Sequence, residues 1–282
     1  MARCHVCFRH CDIEDGTLGF CGARRAENGE IKAYNYGKIT SLALDSIEKK
    51  PLARFYPGSH ILSVGSFGCN LRCPFCQNYE ISWSEETTYF AENARMLSPK
   101  ELVELALDTK DRGNIGIAFT YNQPLIGYEY VRDTAKLAKE QGLKTVLVTN
   151  GTAELSVLEE LAPYIDAMNI DLKDFTDAYY SKVLGGSRKQ VMRFIEEAMK
   201  YAHVELTTLI VPGENDSEEE IRELSRWVGN LKNPDGEGVP LHITRFFPQF
   251  HMTDREATDV KKVYHLADIA RKNVKYVYIG NC

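Results

Sequence analysis

From residue 61 onward the chain alternates short β-branched or apolar runs with longer amphipathic segments, a pattern that few folds accept. Strands separated by helices pair in parallel, because each crossover returns the chain to the same end of the sheet. Seven strand candidates stand out: Ile61 to Ser66, Ile115 to Thr120, Lys144 to Thr149, Ala167 to Leu172, Val204 to Val211, Leu241 to Arg245 and Lys275 to Ile279. The segments between them carry helix signals. Ser98-Pro99-Lys100-Glu101 supplies an N-cap, a proline at the first helical position and an acidic first turn, and Asp216-Ser217-Glu218-Glu219-Glu220 repeats the idea. Gly113 and Gly142 fall where such helices should stop. With 282 residues and 44% hydrophobic content the chain can bury one sizeable core, or a core with a small appendage.

Residues 1–30 break this rhythm, being rich in Cys, Gly, Arg and acidic residues without periodicity, and residues 31–60 read as a mixed connector ending in Tyr56-Pro57-Gly58-Ser59. The organisation expected is a cysteine-rich metal-stapled segment (1–30), a connector (31–60) and a βα domain (61–282). Of the eight cysteines, seven fall in two short-spaced groups, Cys4, Cys7, Cys11, Cys21 and Cys69, Cys73, Cys76. No apolar stretch approaches the ~20 residues that span a bilayer, and Met-Ala-Arg-Cys-His lacks the apolar run of a signal peptide. A cytoplasmic protein without membrane partners is expected, where clustered thiols suggest metal rather than disulfides. A net charge of -6 offers no basic surface for a phosphate backbone, which disfavours nucleic acid as a partner.

The run Ser66-Phe67-Gly68-Cys69-Asn70-Leu71-Arg72-Cys73-Pro74-Phe75-Cys76-Gln77-Asn78 places three thiols at C-x3-C-x2-C spacing just after the first βα strand. Electron-transfer clusters usually take four cysteines; three leave one iron open to bind a substrate. Zinc with a distant fourth ligand is the competing assignment, but zinc sites favour paired C-x2-C knuckles. In parallel βα barrels function collects at the carboxyl ends of the strands. Here those ends carry Thr120-Tyr121-Asn122-Gln123-Pro124, Thr149-Asn150-Gly151-Thr152, Asp171-Leu172-Lys173, Pro212-Gly213-Glu214-Asn215-Asp216 and Arg245-Phe246-Phe247-Pro248-Gln249-Phe250-His251. Cys4-x2-Cys7-x3-Cys11-x9-Cys21 has the ligand count for a four-thiolate structural zinc or a second iron–sulfur cluster.

The thiol spacing, with Phe75 before the last cysteine, resembles the radical S-adenosylmethionine superfamily. Over residues 60–280 the strand-end motifs resemble pyruvate formate-lyase activating enzymes and their close relatives. The run Ile47-Glu48-Lys49-Lys50-Pro51-Leu52, Phe55-Tyr56-Pro57-Gly58, Cys76-Gln77-Asn78, the Thr-Tyr-Asn motif and Arg245-Phe246 are similar to the subgroup called AmmeMemoRadiSam radical enzymes. Many members of that subgroup continue past the last strand with another cysteine pair, where this sequence ends at Cys282. The resemblance implies a partial (β/α)6 TIM-type barrel, open at one side. It further implies that Cys69, Cys73 and Cys76 hold a [4Fe-4S] cluster that reductively cleaves S-adenosylmethionine to a 5'-deoxyadenosyl radical. Phe75 would lie against the adenine, and Asn122 and Gln123 would accept from the cofactor ammonium where relatives carry Gly-Gly-Glu. Lys173 would pair with the cofactor carboxylate, with Asp171 holding the ribose or orienting Lys173. For Asn150, Thr152, Asn215 and His251, cofactor or substrate contact and plain loop satisfaction stand side by side.

The leading expectation is therefore an activating enzyme that abstracts hydrogen from a glycine of a partner protein, a glycyl radical enzyme, and is reduced by a flavodoxin- or ferredoxin-type donor. The same radical chemistry on a small molecule or nucleotide is the second, and a non-catalytic zinc-stapled binding protein is the third.

Overall fold

The computed structural model describes all 282 residues. One eight-stranded sheet organises it: β1 (Ser41–Ser46), β2 (His60–Gly65), β3 (Asn114–Phe119), β4 (Lys144–Thr149), β5 (Ala167–Asp171), β6 (His203–Ile210), β7 (Leu241–Arg245) and β8 (Val277–Gly280). Neighbours in space are neighbours in the chain. All pairs from β2 to β8 are parallel, and β1 runs antiparallel to β2. Each parallel strand lies within two residues of the position read from sequence. Strands β1 and β8 each have one neighbour, so the sheet stays open as a partial barrel.

Six longer helices fill the crossovers: α1 (Pro99–Leu107), α2 (Tyr128–Glu140), α3 (Leu155–Leu161), α4 (Arg188–Ala198), α5 (Glu218–Gly229) and α6 (Val260–Ala270). Their starts follow local chemistry. The Ser98 hydroxyl accepts from the Glu101 N–H while the Glu101 carboxylate accepts from the Ser98 N–H, a full capping box, and the Ser217 hydroxyl accepts from the Glu220 N–H. Gly113 and Gly142 adopt φ of +83° and +70°, the left-handed turn that ends each helical stretch.

Strand β1 was not legible in the sequence. Its residues Ser-Leu-Ala-Leu-Asp-Ser are half-exposed at the sheet edge and lack the apolar alternation of the inner strands. Just after it, Ile47 and Leu52 pack fully buried against Ile61, Ala118, Val146 and Ala167, closing the amino-terminal end of the barrel. Glu205, fully buried on β6, anchors this plug: its carboxylate accepts the N–H groups of Ala53 (2.9 Å) and Arg54 (2.8 Å) and bonds His203 (3.0 Å) and His242 (2.6 Å). Lys50, also buried, pairs with Asp45 at 2.9 Å, and the Tyr121 hydroxyl donates to the same carboxylate at 2.8 Å. No helix is long and apolar enough to cross a membrane.

The first thirty residues lie on the barrel. Val6 and Ile13 belong to the same apolar core as Leu147, Ile170 and Val204. The Val6 carbonyl accepts from the Glu154 N–H at 2.9 Å, fastening this segment to the start of α3.

Candidate active site

The loop carrying Cys69, Cys73 and Cys76 leaves the carboxyl end of β2 and is fixed from every side. Asn122, at the end of β3, accepts from the Ser66 N–H (3.0 Å) and donates to the carbonyls of Phe67 (3.0 Å) and Gly68 (3.2 Å). Asn78 donates to the Tyr121 carbonyl at 2.8 Å, and the Arg72 N–H to the Leu184 carbonyl at 2.9 Å. Gly68 sits at φ +90°, where a Cβ would lie 2.5 Å from the Cys21 carbonyl. Only glycine fits that approach.

The three sulfurs share one environment. Burial pushes the thiols up, Cys69 to about 11 and Cys73 to about 12, with Cys76 raised as well, while the Lys173 ammonium works in the opposite direction on all three. The Leu71 N–H points at the Cys69 sulfur at 3.5 Å, the Asn150 side-chain amide at 3.8 Å, and Asn78 and Ser82 direct donors at Cys76. Cys73 is buried and Cys69 and Cys76 half-buried, and thiols so placed, facing a cation and several donors, suit a metal that takes the place of their protons. The donor set thus fits an iron–sulfur cluster held by three cysteines.

Lys173 follows β5 and lies half-buried, its ammonium 2.8 Å from the Asp171 carboxylate. Burial lowers its pKa, but the Asp171 carboxylate outweighs that and leaves it raised, so the charge persists. The Tyr180 hydroxyl accepts from the Lys173 N–H at 3.0 Å, and Asn215 donates to the Lys173 carbonyl at 2.8 Å while accepting from the Val211 N–H. Gln123 exchanges hydrogen bonds with the Thr149 hydroxyl and accepts from the Asn150 N–H at 3.2 Å. Asn150 continues to Asn70 (3.0 Å) and accepts from Thr152. Phe75 is buried in the loop. His251 is exposed, its N–H bonded to the Pro74 carbonyl and its ring 5.5 Å from Trp83.

The strand-end residues singled out in sequence therefore gather around one loop, and most of their amides are engaged with it or with each other. Reading the sequence missed Asn70, Arg72 and Tyr180. Asn70 and Arg72 lay inside the cysteine run as apparent spacers; nothing local marks Tyr180, which reaches Lys173 from a turn of irregular helix.

A parallel βα sheet left open as a partial barrel, with a three-cysteine loop and a half-buried lysine at its strand ends, defines a radical S-adenosylmethionine fold. The family model of the Radical SAM superfamily matches residues 63–225, and the chain belongs to that superfamily. The uncharacterized protein MJ0808 of Methanocaldococcus jannaschii is 40% identical, over 99% of this chain and 81% of its own length. The pyruvate formate-lyase-activating enzyme of Clostridium pasteurianum is 29% identical, over 69% of this chain and 83% of its own. Among solved structures, Streptococcus suis SuiB bound to S-adenosylmethionine aligns with a TM-score of 0.57 at 14% identity, covering 76% of this chain and 48% of that one. QueE from Escherichia coli aligns with a TM-score of 0.51 at 12% identity, covering 87% and 93%. These two bear on fold alone. The protein is a radical S-adenosylmethionine enzyme homologous to activating enzymes.

Proposed function

We propose that the protein reductively cleaves S-adenosylmethionine and uses the resulting radical to abstract hydrogen from a glycine of a partner protein. The observation that carries the cofactor part is that one loop presents three thiols, each under the field of Lys173, which is half-buried and paired with Asp171. When bound at Cys69, Cys73 and Cys76, a [4Fe-4S] cluster supplies the electron that breaks a carbon–sulfur bond of S-adenosylmethionine. The chain's own residues set the rest. Lys173 stays charged in a half-buried site and meets the cofactor carboxylate as a point charge. Asp171 orients it at 2.8 Å. Asn122 and Gln123, expected from the resemblance to take the ammonium end, have their side-chain oxygens engaged by Ser66, Thr149 and Asn150 and so serve to hold the loop beside Gly68 in place. Phe75 covers the adenine, while Asn150 and the Leu71 N–H offer hydrogen bonds to the Cys69 sulfur. The side chains of Asn215 and Thr152, and the main chain of His251, serve the loops rather than the cofactor, on the strength of their intramolecular partners.

The glycine substrate is supported by several pyruvate formate-lyase-activating relatives and by the open side of the sheet. In the same reading the four N-terminal thiols hold a further metal, zinc or a second cluster, the protein is cytoplasmic with none of its eight cysteines in a disulfide, and a flavodoxin- or ferredoxin-type protein delivers the electron. A small-molecule or nucleotide substrate is the second reading, favoured by similarity to a GTP 3',8-cyclase, 27% identical over 53% of this chain and 45% of that protein. The deciding experiment prepares a candidate glycyl-radical-type partner with α-deuterated glycine and incubates it anaerobically with reduced enzyme and S-adenosylmethionine. Deuterium in 5'-deoxyadenosine, with an organic radical signal on the partner, is expected; 5'-deoxyadenosine without deuterium contradicts the glycine assignment.

A further inference from the structure

The N-terminal cysteines form a second thiol set beside the loop cysteines. Cys4, Cys7 and Cys21 are buried and Cys11 half-buried, none is in a disulfide, and all four line one cavity of about 10 Å³ together with Arg9 and Arg24. Four free thiols lining one cavity are a complete tetrahedral donor set for a thiophilic metal ion, which takes the place of their protons. Neither thiol set is already gathered at coordinating distance, so in both the metal must draw the sulfurs together.

This site and the catalytic loop interlock. The Cys69 N–H donates to the Cys21 carbonyl at 3.1 Å. Arg9, two residues past Cys7, donates to the Asn70 carbonyl at 2.7 Å, and the Asn70 side chain accepts from Asn150, whose amide also points at the Cys69 sulfur. Arg72 of the loop donates to the Phe20 carbonyl at 2.6 Å, and the Phe20 ring lies against two guanidiniums, Arg9 at 3.4 Å and Arg72 at 3.8 Å.

Resting on the assignment of Cys69, Cys73 and Cys76 to the catalytic cluster, we propose that Cys4, Cys7, Cys11 and Cys21 bind a single tetrahedral thiophilic ion of the zinc class that positions the catalytic loop. Four thiols on one cavity leave no open coordination position, which is the closed ligand set of a structural zinc site. Binding replaces the thiol protons, which leave to solvent, and involves no change of oxidation state. Pulling Cys7 and Cys21 inward moves Asn70 and the Cys21 carbonyl, and through them the Cys69 amide and sulfur. The metal acts on the cluster through these contacts, as a positioning device.

The test uses the full chain, reconstituted anaerobically with iron, sulfide and Zn2+. One zinc per chain beyond the cluster iron is expected, and Co2+ in place of Zn2+ should show the ligand-field absorption of a tetrahedral thiolate site. Cys7→Ser/Cys11→Ser should lose zinc and retain the cluster, with altered electron paramagnetic resonance of the reduced cluster and at least a tenfold loss of S-adenosylmethionine-induced spectral change. Phe20→Leu, which keeps every thiol, should retain zinc and show a smaller change in the same signal, and serves if the double variant fails to fold. Iron in place of zinc, or no metal beyond the cluster, overturns the single-ion site. Zinc loss, or Phe20→Leu, with an unchanged cluster signal overturns the positioning role. Failure of the underlying assignment reads differently: Co2+ would still bind the N-terminal thiols, but Cys69→Ala/Cys73→Ala would leave the iron signal intact.

Discussion

Replacing Glu205 by Gln should loosen the plug at the amino-terminal end of the barrel without touching the cluster loop. The Glu205 carboxylate is fully buried and takes two backbone N–H groups of the plug and two histidines of the barrel, at 2.6 to 3.0 Å. Burial alone would raise its pKa, but these bonds hold it at about 2 against an ordinary 4.5. That difference corresponds to about 3 kcal/mol at ~1.4 kcal/mol per unit. Because the folded value lies below the unfolded one, this stability is complete above pH ~5 and drains away as pH falls toward 2. The amide has a single acceptor oxygen, so the N–H of Ala53 or Arg54 loses its partner. Hydrogen exchange by mass spectrometry on reconstituted protein at pH 7 should show protection of residues 47–58 falling by roughly a hundredfold in Glu205→Gln, the equivalent of about 3 kcal/mol. In the wild type, protection of the same segment, corrected for intrinsic exchange, should begin to fall between pH 5 and pH 4. Equal protection in both proteins at pH 7 would refute the reasoning.

Other outcomes follow from the site. Lys173→Met should weaken S-adenosylmethionine binding by about 1.5 to 3 kcal/mol, roughly tenfold to a hundredfold, in a titration of reconstituted protein; unchanged affinity would remove Lys173 from the cofactor site. Cys73→Ala should abolish 5'-deoxyadenosine formation, assayed by chromatography after reduction, and a normal rate would contradict the cluster assignment. Asn122→Ala removes three hydrogen bonds from the loop and should lower the iron retained per chain after gel filtration, whereas full iron content would show that Asn122 does not hold the loop.

The parallel strands were legible because a strand covered on both faces favours an apolar run, and β3 supplies it in Ile115-Gly116-Ile117-Ala118-Phe119. Strand β1 escaped because an edge strand can be half polar. The cluster loop was legible from spacing alone. The roles around it were less so: the amides of Asn122 and Asn215 find their partners in backbone groups, which no residue identity announces. Glu205 was invisible for the same reason of distance, since Ala53 and Arg54 lie more than 150 residues away in the chain. What the Cys4 to Cys21 segment touches could not be read from its composition, although its ligand count could.

The most direct measurement is product analysis after one-electron reduction of anaerobically reconstituted protein with excess S-adenosylmethionine. Methionine and 5'-deoxyadenosine should appear in equal amounts, and neither should form in protein lacking Cys69, Cys73 or Cys76. A fully iron-loaded, reducible protein that leaves S-adenosylmethionine intact in the presence of every candidate substrate, or that cleaves it without those three thiols, would contradict the account.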